Sequence, residues 1–149
     1  MKKISAIITL CLIVLTACGS GGLYGNYAAE NHESTMQFDG ERFMLVVPAF
    51  VDTLGDSTSQ LILGGTYDLN GGKLTLNFDE AVTREKVLPV VLTLLAENGV
   101  DEPVQEQIDD AMEHYLTDSP YLGSYTLDYN TKKECFTFNA QKFTKSGEK

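Results

Sequence analysis

From Leu23 onward, apolar residues recur at every second position in short runs broken by glycine and polar turns. Leu74, Leu76 and Phe78 share one face of an extended segment, and Tyr67 and Leu69 share a face of the segment before it. Between them Asn70-Gly71-Gly72 supplies residues that tolerate positive φ, as a tight turn between twisted strands requires. The pattern predicts a β-hairpin there and a second from Met36-Gln37-Phe38 through Asp39-Gly40 into Phe43–Val47, with Pro48 ending that strand or placing it at an edge. Leu61-Ile62-Leu63 reads as a separate short strand after the polar loop Gly55–Ser59. A third hairpin is expected around Gly123-Ser124-Tyr125-Thr126-Leu127-Asp128 and Phe136-Thr137-Phe138-Asn139. Gly25-Asn26-Tyr27, Gly65-Thr66-Tyr67 and Gly123-Ser124-Tyr125 open similar units, spaced too irregularly for a solenoid.

The period changes after residue 84. Val87 to Ala96 is almost wholly apolar and runs into Asn98-Gly99, a helix-stop signal. Pro89 is best tolerated in a first turn, so this helix is expected to start near Lys86 or Leu88 and to be buried. The β-branched content of Val87 to Leu95 also allows a buried strand, but the length and the Gly99 stop favour helix. Asp101 then resembles an N-cap. Val104, Ile108, Met112 and Tyr115 follow at helical spacing, flanked by Ala111 and Leu116, with Glu106, Asp109, Asp110 and Glu113 on the opposite face. The expected class is α+β: an antiparallel β-meander forming a sandwich or partial barrel, with an inserted helical hairpin at about 84–117. Leu74, Leu76, Phe78, Phe136 and Phe138 are expected to share one core with the apolar first helix.

The first residues follow neither period. Lys2 and Lys3 precede an apolar run from Ile4 to Val14, the layout of a secretory signal. The 14 residues from Ile4 to Ala17 are too few to span a bilayer, which needs about 20. Leu15-Thr16-Ala17-Cys18 resembles the lipobox of bacterial lipoproteins. That resemblance implies cleavage before Cys18, a diacylglycerol thioether on its sulfur and an acylated new N-terminus. Residues 1–17 are then signal peptide, 18–22 a lipidated cysteine and flexible tether, and 23–149 a single β-rich domain. The location implied is extracytoplasmic and lipid-anchored. Gly19 lacks the aspartate associated with inner-membrane retention in such lipoproteins, so a cell with two membranes would carry the protein on the outer one.

Charge narrows the partners. The formal charge is −10, and loss of residues 1–17 removes Lys2 and Lys3 and no acid, leaving −12. Nucleic acid and anionic lipid both require basic patches, which argues against either as a ligand of the folded domain. No Lys or Arg occurs from Val87 to Thr131. That acidic tract is most simply a solvated face, and otherwise a surface for a basic partner.

Candidate chemistry is sparse. Asp110 and His114 are i, i+4 neighbours with Glu113 and Asp118 nearby, but one histidine among carboxylates is a poor zinc set, and a solvated helix face is the expected reading. His32-Glu33-Ser34 cannot form a relay by adjacency, because successive side chains of an extended segment point to opposite faces. Cys135 alternates with Phe136 and Phe138 and lies near Lys132 and Lys133, which reads as an inert thiol on the face away from the phenylalanines. No catalytic, cofactor or metal residue is assigned. The seven tyrosines suit core and rim positions, with a ligand groove as the alternative.

The run Gly25-Asn26-Tyr27, Met36–Gly40 and Gly65–Leu76 is similar to the small lipocalin-like domains of bacterial lipoproteins, over residues 23–79 and again 123–139. That resemblance implies an antiparallel meander, from which the insertion departs, and it transfers no functional residue. The expected function is a non-enzymatic, membrane-tethered binding or interaction domain of the envelope, with an envelope protein or a small ligand as partner. A lipocalin-like carrier of a small apolar ligand is the alternative, and an envelope hydrolase comes third.

Overall fold

The computed structural model describes residues 22–30, 34–48 and 60–147. The signal peptide, Cys18, most of the tether, His32, Glu33 and the Gly55–Ser59 loop lie outside the described residues. Eight strands run in chain order as β1 (Tyr24–Ala29), β2 (Thr35–Asp39), β3 (Arg42–Pro48), β4 (Gln60–Asn70), β5 (Lys73–Phe78), β6 (Ser124–Asn130), β7 (Cys135–Phe138) and β8 (Gln141–Lys145). Helices α1 (Glu80–Glu97) and α2 (Gln105–Leu116) stand between β5 and β6. Every strand pairs antiparallel with its sequence neighbours, and β1 pairs with β8 through Tyr27↔Lys145 and Ala29↔Phe143, closing the barrel.

Closure corrects the expectation of a sandwich or partial barrel. Helices inserted between consecutive strands need not break a meander when β5 and β6 still pair directly, as they do from Lys73↔Asp128 to Asn77↔Ser124. Closing the sheet removes its open edges. The alternation read from the sequence is the inside–outside alternation of the wall: along β5, Leu74, Leu76 and Phe78 are buried. These three share one core with Phe136, Phe138, Val87 and Val91, as expected.

The strand expected at Leu61–Leu63 is instead the first part of the 11-residue β4. Its first half pairs with β3 and its second with β5, and the change of partner falls at Gly64-Gly65. A Cβ on Gly65 would lie 1.8 Å from the Asn77 carbonyl oxygen, so only glycine lets the two backbones approach this closely. The Asn70–Lys73 turn has φ of 57° at Gly71 and 78° at Gly72, the positive values a two-residue hairpin demands.

The helices differ from expectation at both starts. α1 begins at Glu80, not near Lys86 or Leu88, because Asp79 is a strong N-cap: its carboxylate accepts from the Val82 amide at 3.2 Å. Pro89 therefore lies inside the helix, on its exposed side. α2 begins at Gln105, not after Asp101. Pro103 disfavours helical geometry in the residue before it, and the Val104 amide donates instead to Gln107 Oε1 at 3.0 Å. Asn98 and Gly99, at φ 84°, end α1 as the sequence indicated.

Burial of α1 is one-sided. Thr83, Val87, Val90 and Val91 are buried, whereas Leu88 and Leu92 are 36% and 37% exposed. On α2 the buried pair is Met112 and Leu116, while Val104 and Tyr115 of the expected stripe face solvent.

Candidate functional site

Up-and-down connection gives the barrel two distinct ends. The chain enters beside the Asp39–Arg42 turn, where the Tyr67 hydroxyl donates to the Leu23 carbonyl at 2.9 Å and Gly22 abuts Gly40. β5 leaves for the helices at the other end, and the Asn139-Ala140 turn lies there too. The helix pair is thus inserted between strand ends opposite in direction to the chain entry, while the first turns of α1 pass beside the Asp39–Arg42 turn.

The barrel axis is filled by its own side chains. Tyr27, Phe38, Phe43, Tyr67, Phe78, Phe136 and Phe143 belong to one buried cluster with the aliphatic residues of the wall. Phe38 meets the edges of Tyr27 and Tyr67 at centroid distances of 5.3 and 4.9 Å, and Phe136 stacks on Phe143 at 5.3 Å. The Tyr27 and Tyr129 hydroxyls hydrogen-bond each other at 2.9 Å in this interior. Burial, followed by the bond to Tyr129, holds the Tyr27 phenol far above the ordinary tyrosine range. Burial also pushes the phenols of Tyr67 and Tyr121 up. Each of the three Gly-x-Tyr units sends its tyrosine inward: Tyr27 and Tyr67 into the core, and Tyr125 against it.

The most distinctive surface is therefore outside, on the helix pair. Arg84 ties the two helices, its guanidinium reaching Glu80 and Glu113 at 2.8 Å each, which holds it above its usual pKa. Thr83 Oγ1 donates to the Tyr121 carbonyl at 3.0 Å, anchoring α1 to the segment that leads into β6. Between α1 and α2 lies a groove of about 240 Å³ lined by Val91, Leu94, Leu95, Ala111, His114 and Tyr115. The exposed Leu88 and Leu92 stand at i and i+4 on α1, one helical step from the partly buried Leu95, which lines this groove.

Charge is segregated between the two parts of the molecule. Residues 79–118 carry eleven acidic side chains against Arg84 and Lys86. The remaining described residues carry six acids and six bases, so the barrel itself is neutral. Three of its lysines are engaged locally: Lys142 with Glu30 at 2.9 Å, Lys145 with Glu134 at 2.7 Å, and Lys73 with Asp128.

Two further grooves open on the barrel wall. One of about 390 Å³ is lined by Arg42, Met44, Ile62, Gly64, Val82 and Lys86, where the first turns of α1 pass β4. Its acids are occupied: Asp39 accepts from the amides of Glu41 and Arg42, which lowers its pKa, and Asp79 caps α1. The other, of about 490 Å³, runs past Thr126, Asn130, Cys135 and Lys142.

Of the residues weighed from the sequence, the structure describes Ser34, Asp110, Glu113, His114, Asp118 and Cys135. Asp110, Glu113, His114 and Asp118 are all exposed, Glu113 is held by Arg84, and among the described residues no three His, Cys, Asp or Glu side chains converge. Ser34 is buried and its carbonyl accepts from the Ala29 amide at 3.0 Å. Cys135 is buried outside the main core, on the outer side of β7, as its alternation with Phe136 and Phe138 indicated. The amides of Lys132 and Lys133 donate to Asn130 Oδ1 and shape the turn into β7. The interhelical groove was missed from sequence.

No family model matches the chain, and no curated protein matches it. Among solved structures it is similar to an uncharacterized protein from Bacteroides eggerthii, at 11% identity over 83% of this chain and 98% of that one, with a TM-score of 0.39. Among the described residues no helix is long and apolar enough to cross a membrane.

Proposed function

We propose that the chain is a lipid-anchored envelope protein, tethered through Cys18, in which the barrel is a scaffold and the helix pair a non-enzymatic binding surface. The observation that carries this reading is the segregation of acidic charge onto the helix pair, eleven acids against two bases over residues 79–118, beside the exposed Leu88, Leu92 and Tyr115. An acidic module is repelled by anionic lipid. The signal-like start and Leu15-Thr16-Ala17-Cys18 support the anchor, and two or three acyl chains would make it firm. The packed aromatic interior supports binding outside the barrel rather than along its axis.

Mass spectrometry of the mature N-terminus tests the anchor: a diacylglyceryl-modified Cys18 is expected, with Cys18→Ala released from membranes. An unmodified Cys18, or an anchored Cys18→Ala variant, overturns it. The binding role is tested in cells by a photocrosslinker placed at Leu92 or, for comparison, at Lys73 on the barrel. Discrete adducts from Leu92 are expected, and adducts from neither position overturn the reading. The rival, a carrier of a small apolar ligand, has the open groove beside Met44 and Ile62 in its favour. It requires saturable uptake of a fluorescent fatty acid that Ile62→Asp abolishes.

A further inference from the structure

We infer that the groove between α1 and α2 receives a cationic amphipathic helix of a partner protein, its apolar side on Leu95 and Tyr115 and on Leu92 beside the groove, its lysines or arginines toward the exposed acids of residues 97–118. The inference rests on the proposed binding role and names the chemistry of the partner. Three features of the surface converge on it. The floor of Val91, Leu94, Leu95, Ala111 and Tyr115 is mostly apolar, with Asn98 and His114 as its polar members, and the exposed Leu88 and Leu92 continue the apolar surface along α1 at the spacing by which one helix reads another. The groove lies between helices of 18 and 12 residues, so an added helix would form a third member of the layer. Finally, no Lys or Arg occurs from Val87 to Thr131, while Glu97, Asp101, Glu102, Asp110 and Asp118 surround the floor in sequence and are all exposed.

Charge also selects among occupants. A second copy would bring its own eleven-acid module against this one, and like charges oppose that pairing. An anionic lipid headgroup is disfavoured for the same reason. A neutral apolar helix would leave these acids uncompensated, so the partner that satisfies both the floor and the acids is cationic on one side and apolar on the other.

The full chain, immobilised through its C-terminus, should bind a synthetic peptide of about 18 residues with leucines at i, i+3, i+4 and i+7 and lysines elsewhere. Three comparison peptides keep the length: glutamate in place of lysine, the same composition with the helical order scrambled, and serine in place of the leucines. Binding of the lysine peptide alone, weakened about tenfold or more by Leu92→Asp and by Tyr115→Asp, is the expected result. Both positions are exposed, and an unchanged melting temperature for each variant separates lost docking from lost folding. Equal binding of the ordered and scrambled peptides, indifferent to Leu92→Asp, would mean that charge alone acts and would overturn the proposal. So would the absence of peptide binding, or sedimentation showing a dimer that Leu92→Asp dissolves. Crosslinks in cells from Leu92 without binding of the lysine peptide would overturn this partner while preserving the helix pair as the binding surface, and crosslinks from Lys73 alone would overturn both.

Discussion

Tyr27 and Tyr129 form the hydroxyl pair of the barrel interior. Each hydroxyl satisfies the other in a site surrounded by phenylalanine, so removing one leaves its partner without a bond. Tyr129→Phe should cost about 1–3 kcal/mol in denaturant unfolding, and the double Tyr→Phe variant less than the sum of the singles. Tyr27 also sets an alkaline limit. Folding raises the Tyr27 phenol above its ordinary value of 10.0, so the unfolded chain loses that proton first as pH rises. The contribution is complete below pH 10 and declines above it, with Tyr67 and Tyr121 shifted in the same direction. Midpoints measured from pH 8 to 11 should therefore fall at the upper end, and Tyr27→Phe should flatten that fall. Ala140, at φ 59° in the turn from β7 to β8, sits where a side chain is strained. Ala140→Gly should raise stability by about 0.5–1 kcal/mol, read as a higher denaturant midpoint with unchanged slope.

At the scale of elements, α1 carries a liability that its packing offsets. Pro89 supplies no amide to the Glu85 carbonyl and lies on the exposed side, so its ring contributes little burial. Pro89→Ala should stabilise the protein by about 1–3 kcal/mol and slow amide exchange in α1. A loss of stability would show that the ring packs against a neighbour. The helix persists despite Pro89 because Asp79 both continues the sheet and caps the helix, its amide donating to the Gly64 carbonyl at 2.9 Å. Most of the strands were legible because a half-buried wall imposes a period of two on any sequence that folds into it. The start of α1 was not. Proline rules placed it by backbone propensity, whereas the side chains of Thr83, Val87 and Val91 held against the core override that propensity.

In the whole molecule, barrel and helices share one core rather than forming separate units. Val87, Val91, Met112 and Leu116 join Leu74, Leu76 and Phe78 in a single buried cluster. Leu76→Ala and Val91→Ala should therefore both lower one common transition, the first by about 2–5 kcal/mol and the second by less because a smaller side chain is truncated. Separate transitions for strand and helix signals in circular dichroism would contradict that coupling. Charge divides differently, with the excess acid on the helix pair and a balanced barrel. A shared core beneath an uneven surface lets the acidic module be held rigidly while its outward face stays open.

The sequence alone carried the alternation of the strands, the Asn70-Gly71-Gly72 turn, the Asn98-Gly99 stop and the excess of acid over residues 87–131, because each depends on a few neighbouring residues. It also carried the outward placement of Cys135, which follows from period two alone. Tertiary structure alone decided the closure of β1 onto β8, the continuity of β4 through Gly64-Gly65, the true start of each helix and the exposure of Leu88 and Leu92. These depend on which distant segment lies alongside. A hydrophobic run shows that some face must be buried, but only the packed neighbours determine which face it is. The candidate site belongs to this second group: its floor is assembled from α1 and α2 together, and nothing within either helix's own sequence marks the gap left between them.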